Sequence, residues 1–326
     1  MRKRSIIFIL ILMVLSVVLF TYFIFFSEKE SKKNNLLQKK VTNSSGANMQ
    51  GGGPKKASDF LETCNFFPIK KEKKVFLEMK ENAGIAIFFN TTGDEQILYK
   101  NDIHKRLAPA SLTKLMTAII VDDNYPLEKN VNVSYEAIWT LGESGRLSPD
   151  EEISISGLLD IMLLVSSNDA ASALVEVVGQ KTFFGLVKEK INEIGLKDTN
   201  FVNPHGLDQE NHYSSAYDFA QMIEYSIIHN PNVWEIMGTI EKDVFGKGIY
   251  GVIPHHAVNT NKILDWPGVI GGKTGFTDNA GECMILALDA PGRAEGRIVL
   301  VILGVDDRME RIKEFYNWIH KAYIWE

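Results

Sequence analysis

Hydrophobic positions fall along this chain in three different ways. From Ser5 to Phe26 they form one run, SIIFILILMVLSVVLFTYFIFF, 22 residues without a charge. As a helix rising about 1.5 Å per residue it would reach roughly 33 Å, enough to cross the core of a bilayer. Residues 27–57 hold few apolar side chains and pass through KKNN and QKK into NSSGANMQGGGPKK. That composition buries too little surface to order itself and reads as a tether. From residue 58 onward the apolar positions take the periods of a folded body.

Within the body, NAGIAIFFNTTGDEQILYKN (82–101) predicts two strands around the turn NTTGD. Pro109 precedes ASLTKLMTAII, a helix with proline near its first turn. ISISGLLDIMLLVSSNDAASALVEVVG (153–179) predicts a helix, a break near Ser166 and a second helix. Residues 181–231 are mostly helical around the turn NPHGLD at 203–208. GVIGGKTGF, ECMILALDA and GRIVLVILGV are strand-like, and an amphipathic helix runs from Arg308 to Tyr323. Strands at both ends with helices between predict an α/β (α+β) fold, one sheet assembled from the two ends with a helical insertion. No internal repeat is evident.

Charge divides the chain in the same places. Arg2, Lys3 and Arg4 precede the apolar run, and residues 27–57 add seven lysines against Glu28 and Glu30. Residues 58–326 then hold 25 basic and 39 acidic side chains, within a net charge of −6. An acidic body argues against a nucleic-acid partner. The apolar run is longer than the core of a cleaved leader, and no A-x-A site follows it, so an uncleaved anchor is expected. The basic start favours residues 1–4 in the cytoplasm and the body outside. Lys29, Lys32 and Lys33 weaken that bias, and on charge alone the opposite orientation stays open. The expected organisation is a membrane anchor over 1–26, a basic linker over 27–57 and a folded domain over 58–326. With 45% hydrophobic and 23% charged residues, collagen-like, disordered and disulfide-scaffold classes are excluded. Cys64 and Cys283 are too few for a Cys-rich zinc module. Cys283 lies in a predicted core strand, where a buried thiol is the common state.

The candidate chemistry lies in three short strings: Ser111-Leu-Thr-Lys114, Ser166-Ser-Asn168 and Lys273-Thr274-Gly275. The first opens a helix, the second sits in a break between helices and the third lies on a strand. Residues i and i+3 share a helix face, so Ser111 Oγ and Lys114 Nζ can meet. A serine hydroxyl needs a base, and His104 lies off this helix, so Lys114 is the candidate. To serve near pH 7 its pKa must fall about 3 units from about 10.4. Burial and the cation of Lys273 both push that way. Ser166 can relay a proton to a leaving amine, and Asn168 can hold a substrate amide. Lys273 and Thr274 suit a carboxylate, and Gly275 leaves room for a peptide along the strand edge.

In this order and context the three strings are the signature of penicillin-recognising serine enzymes. ASLTKLMTA (110–118), VSSNDAASALVE (165–176), FVNPHGLD (201–208) and GGKTGFTDNAGECMILA (271–287) resemble the serine D-Ala-D-Ala carboxypeptidases, the low-molecular-mass penicillin-binding proteins. The resemblance runs from about Asn82 to Tyr323. It implies a β-lactamase/transpeptidase-like antiparallel sheet flanked by helices, with a helical lobe facing it across a cleft. It implies Ser111 as nucleophile, Lys114 as base, Ser166 as proton relay and Lys273 as carboxylate binder, with the backbone N–H groups of Ser111 and Phe276 as oxyanion hole. The expected substrates are peptidoglycan stem peptides ending in D-Ala-D-Ala, and β-lactams are expected as covalent inhibitors. No metal or cofactor is called for.

Three other functions share part of this pattern. A D,D-endopeptidase cutting cross-links would carry all three strings. A class A β-lactamase would need a deacylating glutamate; KDTNFVNPHGLD holds none, and Glu210 lacks the local pattern. A membrane-tethered wall-binding or β-lactam-sensing protein would acylate without turning over; intact Ser111, Lys114 and Ser166 argue against a dead scaffold. His255-His256 lacks an H-E-x-x-H context and is expected on a loop or the surface, and His205 is expected to shape a turn lining the cleft.

Overall fold

The computed structural model describes residues 67–325 apart from 73, 74, 76, 79, 293 and 294. The apolar run, the tether and Cys64 lie outside the described residues, as does the expected boundary at residue 58.

The predicted hairpin forms β2 (Ala83–Asn90) and β3 (Glu95–Asn101), and a two-residue strand β1 (Ile69–Lys70) precedes it. The three C-terminal runs form β8 (Val269–Thr277), β9 (Gly281–Asp289) and β10 (Gly296–Val305). β2, β3, β8, β9 and β10 join one antiparallel sheet in the order β3-β2-β10-β9-β8. The ends of the body meet at its centre, where Ala83 of β2 lies opposite Leu303 of β10.

Both faces of this sheet are covered, which is why β10 reads as an unbroken apolar run. Ile298, Leu300 and Ile302 pack with Ile312, Phe315 and Ile319 of α8 (Arg308–Ala322). Val299, Val301 and Leu303 alternate to the other face and join the larger core beneath the helices. Those helices are α1 (Lys114–Asn124), the single turn α2 (Tyr135–Ile138), α3 (Ile155–Leu164), α4 (Asn168–Glu176), α5 (Gln180–Ile194), α6 (Ala216–His229) and α7 (Pro231–Gly238). Ser154 caps α3 by accepting from the Gly157 N–H at 3.0 Å. Nine of the ten residues of α3 are buried, so it is the central pillar of the helical layer. Its one acid, Asp160, accepts from Lys242 Nζ at 2.7 Å, and burial raises its pKa.

A second antiparallel sheet, unforeseen from the sequence, has the order β4-β5-β6-β7. Its strands are β4 (Asn130–Asn132), β5 (Glu152–Ser154), β6 (Glu241–Gly248) and β7 (Gly251–Val258). β4 and β5 are too short to show a period, and β6 and β7 bury few side chains. His255 and His256, expected on a loop or surface, lie on β7. Strand alternation turns His256 outward and buries His255. A last strand, β11 (Tyr323–Ile324), pairs with β1. Among the described residues no single helix is long and apolar enough to cross a membrane.

One buried charge cluster fastens α8 to the hairpin. Arg311 donates through Nε to Glu81 at 2.8 Å and through Nη2 to the Glu78 carbonyl at 2.6 Å. The Tyr99 hydroxyl donates to the other oxygen of Glu81 at 2.5 Å. Removing one partner of a buried pair strands the other charge. Arg311→Ala is therefore expected to lower the unfolding free energy by about 3–5 kcal/mol, read from urea denaturation at neutral pH. A loss below about 1 kcal/mol would mean that Glu81 behaves as a solvated surface charge.

Candidate active site

The nucleophile candidate sits at the junction of sheet and helices. Instead of opening directly as an α-helix, Ala110–Thr113 forms a 3-10 turn that runs into α1 at Lys114. In a 3-10 turn residues i and i+3 nearly eclipse. Ser111 is thereby stacked with Lys114, and Nζ lies 2.9 Å from Ser111 Oγ. Ser111 keeps part of its surface exposed, while Lys114 is 0% exposed.

Three oxygens surround the Lys114 amine. Besides Ser111 Oγ they are Asn168 Oδ1 at 2.6 Å and the His205 carbonyl at 2.8 Å. Burial, and next the nearby Lys273 cation, hold its pKa well below the ordinary lysine value. A neutral amine has two N–H bonds and one lone pair. Two of its neighbours can only accept, and the third is a hydroxyl that can donate. In its neutral form the amine can donate to both carbonyl oxygens and keep a lone pair for the Ser111 hydroxyl, a geometry suited to removing its proton.

A second lysine–hydroxyl pair faces the first. Ser166, in the break between α3 and α4, has φ +63° and accepts from Lys273 Nζ at 2.8 Å. Lys273 lies on β8, is 1% exposed, and also donates to the Thr274 carbonyl at 3.1 Å. Burial, then the charge of Arg308, lowers its pKa to about 7. Thr274 Oγ1 lies 2.7 Å from Thr260 Oγ1, and the Gly275 carbonyl accepts from Arg308 at 3.0 Å. β8 is the edge strand of its sheet, open to a further extended chain. At Gly275 a Cβ would stand 3.0 Å from both the Ser111 nitrogen and Ala110 Cβ. The glycine therefore lets the strand approach the Ser111 turn, a reason that strand patterning alone did not supply. Phe276 follows with its ring 58% exposed.

The loop NPHGLD packs on the Ser111 turn, and its Asp208 accepts from Thr277 Oγ1 at the end of β8 at 2.7 Å. Gly206 has φ +92°, and a Cβ there would fall 1.8 Å from the Ala110 carbonyl, so no other residue allows this contact. His205 lines the turn as expected, but its link to Lys114 is the backbone carbonyl, and burial lowers its imidazole pKa to about 4. Asn168, expected to hold a substrate amide, uses both ends of its side chain within the protein. Oδ1 accepts from Lys114, and Nδ2 donates to the Leu141 carbonyl at 2.7 Å.

The structure thus brings together Ser111, Lys114, Ser166, Asn168, Lys273, Thr274 and Gly275, with Phe276 next along β8. Three participants carried no sequence signal. Arg308 is merely the first residue of α8, and Thr260 stands alone in a loop. His212 accepts the Val202 N–H through Nδ1 at 3.0 Å, so its Nε2 proton points to Thr113 Oγ1 at 2.9 Å. Thr113 passes the bond on to the Ala110 carbonyl at 2.9 Å, bracing the Ser111 turn. Cys283 is a free thiol, buried as expected, which pushes its pKa up to about 11. Among the described residues no group of three or more His, Cys, Asp and Glu side chains is placed to hold a metal ion.

Known proteins share this arrangement of chain and sheet. Residues 72–307 match the peptidase S11 family, described as D-alanyl-D-alanine carboxypeptidase. The chain is 31% identical over 266 residues to D-alanyl-D-alanine carboxypeptidase DacF of Bacillus subtilis, covering 78% of this chain and 65% of DacF. It is 33% identical over 250 residues to D-alanyl-D-alanine carboxypeptidase DacD of Escherichia coli, covering 70% and 60%. The chain thus spans somewhat under two thirds of these curated relatives. The crystal structure of the Streptomyces K15 DD-transpeptidase superposes with a TM-score of 0.69 over 76% of this chain and 100% of its own, at 23% identity, a likeness of fold. With a match across most of the body, and with the three strings gathered in one cleft, the chain belongs to the peptidase S11 family.

Proposed function

We propose that this chain is a serine-type D-Ala-D-Ala carboxypeptidase that removes the terminal D-alanine from peptidoglycan stem peptides. The observation that carries this reading is the buried Lys114 amine, held by two carbonyl oxygens and 2.9 Å from Ser111 Oγ. The family membership and the names of the matched carboxypeptidases support it.

In this mechanism the peptide lies along β8 with its terminal carboxylate toward Lys273 and Thr274. Ser111 Oγ attacks the carbonyl between the two D-alanines as its proton passes to Lys114 Nζ. The oxyanion forms against the N–H groups of Ser111 and Phe276. Ser166, hydrogen-bonded to Lys273, hands a proton to the departing nitrogen and regains one from the Lys114 ammonium; the C–N bond breaks, D-alanine leaves, and Lys114 is neutral again. An acyl ester stays on Ser111. Lys114 then takes a proton from water, the resulting hydroxide opens the ester, and the proton returns to Ser111 Oγ. With a β-lactam the leaving nitrogen stays tethered through the opened ring and blocks that water. Glu210, weighed above as a deacylating group, is exposed on the loop. In the same reading residues 5–26 anchor the protein, residues 1–4 stay in the cytoplasm, and 27–57 tether the body outside the membrane.

Purified full-length protein is expected to release D-alanine from a pentapeptide ending in D-Ala-D-Ala and to take a fluorescent penicillin covalently at Ser111. The label should survive a chase with unlabelled drug. Label on Ser111→Ala would move the nucleophile elsewhere, and loss of label within seconds with matching penicillin hydrolysis would make this a β-lactamase. Cleavage of cross-linked dimers without D-alanine release would make it an endopeptidase.

The pH profile tests the base. Acylation falls as pH drops through the pKa of Lys114, because the protonated amine cannot accept. The Lys273 cation lowers that pKa, so Lys273→Ala should raise it and move the acid limb of the acylation profile to higher pH. An unmoved limb would assign the titration to another group. For the anchor, N-terminal sequencing of membrane-extracted protein should find the apolar run retained. A mature start beyond Phe26 would make the run a cleaved leader.

A further inference from the structure

Among the described residues, one ion pair at the second sheet is buried at both ends. His255 on β7 and Glu151 just before β5 are both buried, with His255 Nε2 2.7 Å from Glu151 Oε1. The other oxygen of Glu151 accepts the Ser148 N–H at 2.9 Å. The Gly145 carbonyl also faces the His255 imidazole and helps to raise its pKa. The pair therefore holds one end of the loop 141–148, which leads from α2 into β5.

The other end of that loop grips the start of α4. The Leu141 carbonyl accepts from Asn168 Nδ2 at 2.7 Å, and the Glu143 carbonyl accepts the Asn168 N–H at 2.7 Å. Asp169, 1% exposed, receives the Gly145 N–H at 2.8 Å and the Ser144 hydroxyl at 2.7 Å. Asn168 in turn carries Oδ1 to Lys114 Nζ. The loop cannot simply be replaced by packing, since a Cβ at Gly145 would stand 2.4 Å from Ile161 of α3. Gly145 is the shared link: its carbonyl faces His255 and its N–H faces Asp169.

We propose that His255, with Glu151, is a positioning pair that holds the 141–148 loop against Asn168 and thereby fixes the Lys114 amine beside Ser111. Neither residue touches the reacting atoms. Glu151 favours the charged imidazole, which offers N–H groups to both the carboxylate and the Gly145 carbonyl. The charged groups facing the imidazole are Glu151 and, beyond Gly145, Asp169. His256 on the opposite side of β7 pairs instead with Asp243 at 2.8 Å in solvent. The proposal rests on the reading of Lys114 as base, and it adds a determinant of that base from a sheet outside the three strings.

The test uses the full-length protein with two independent readouts: hydrogen exchange by mass spectrometry over 141–148, and the rate of Ser111 acylation by fluorescent penicillin. His255→Leu should speed exchange in the loop while α3 and the five-stranded sheet stay protected. It should slow acylation about tenfold or more, as expected when a catalytic group shifts by a fraction of an ångström. With a peptide substrate the loss should appear in kcat, with KM little changed. His255→Gln, which can still donate to Gly145, should recover most of the rate, and His256→Ala should match the parent protein. If His255→Leu does not fold, Glu151→Gln keeps shape and the Ser148 contact while removing the charge, and should show the same two effects in smaller measure. A folded His255→Leu or Glu151→Gln protein that acylates at the parent rate overturns the proposal, as does slowed acylation with unchanged loop exchange. Should the parent protein itself take no label on Ser111, the catalytic reading falls, while the exchange data still decide whether the pair holds the loop.

Discussion

Everything in the cleft depends on keeping one amine dry and uncharged. Lys114 occupies the first position of α1, beneath the NPHGLD loop and beside α4, where water is excluded. An ammonium there would find three oxygen acceptors but no carboxylate within hydrogen-bond reach, since its immediate partners are two carbonyl oxygens and a hydroxyl. The low-dielectric wall penalises the charge, and the carbonyls orient what remains. Gly206 and Gly275 are consequences of this burial, because the loop and the edge strand must both press against the Ser111 turn.

Two buried lysines so close together also shape stability. Each has a folded pKa below its unfolded one, so between those values the unfolded chain binds the proton more tightly. Their contribution is fully present only above the unfolded value of about 10.4. It is lost as pH falls, for Lys273 down to about 7. At neutral pH the site therefore works against the fold, and the two apolar layers of the sheet offset it. Strain at active sites is commonly balanced by packing elsewhere in this way.

The three strings of the candidate site were readable because each depends on local spacing: i to i+3 on a turn, a break between two apolar helices, a glycine on a strand. The central sheet was readable because burial on both faces leaves long apolar runs such as IVLVIL in β10. The second sheet was hidden, since β4 and β5 have three residues each and β6 exposes charges on half of its positions. The misplacement of His255 has the same cause. Without β7 as a strand, nothing distinguishes two adjacent histidines from a solvated turn. Arg308, Thr260 and His212 were invisible for another reason: their proximity to the site comes from tertiary packing, which no periodicity reports.

The placement of β2 beside β10 has a consequence for how the molecule is made. The central rung of the sheet joins residues more than two hundred positions apart in the chain. Closing so long a segment costs entropy before any contact repays it, and topologies dominated by such pairings fold slowly. While a ribosome is still adding β9 and β10, β2 and β3 have no sheet to enter, and their apolar faces need protection from aggregation. A truncated product lacking only the last fifty residues would carry Ser111, Lys114 and Ser166 yet have no floor to hold them. Folding of this chain is thus close to all-or-none, with the site assembled only after the C-terminal strands arrive.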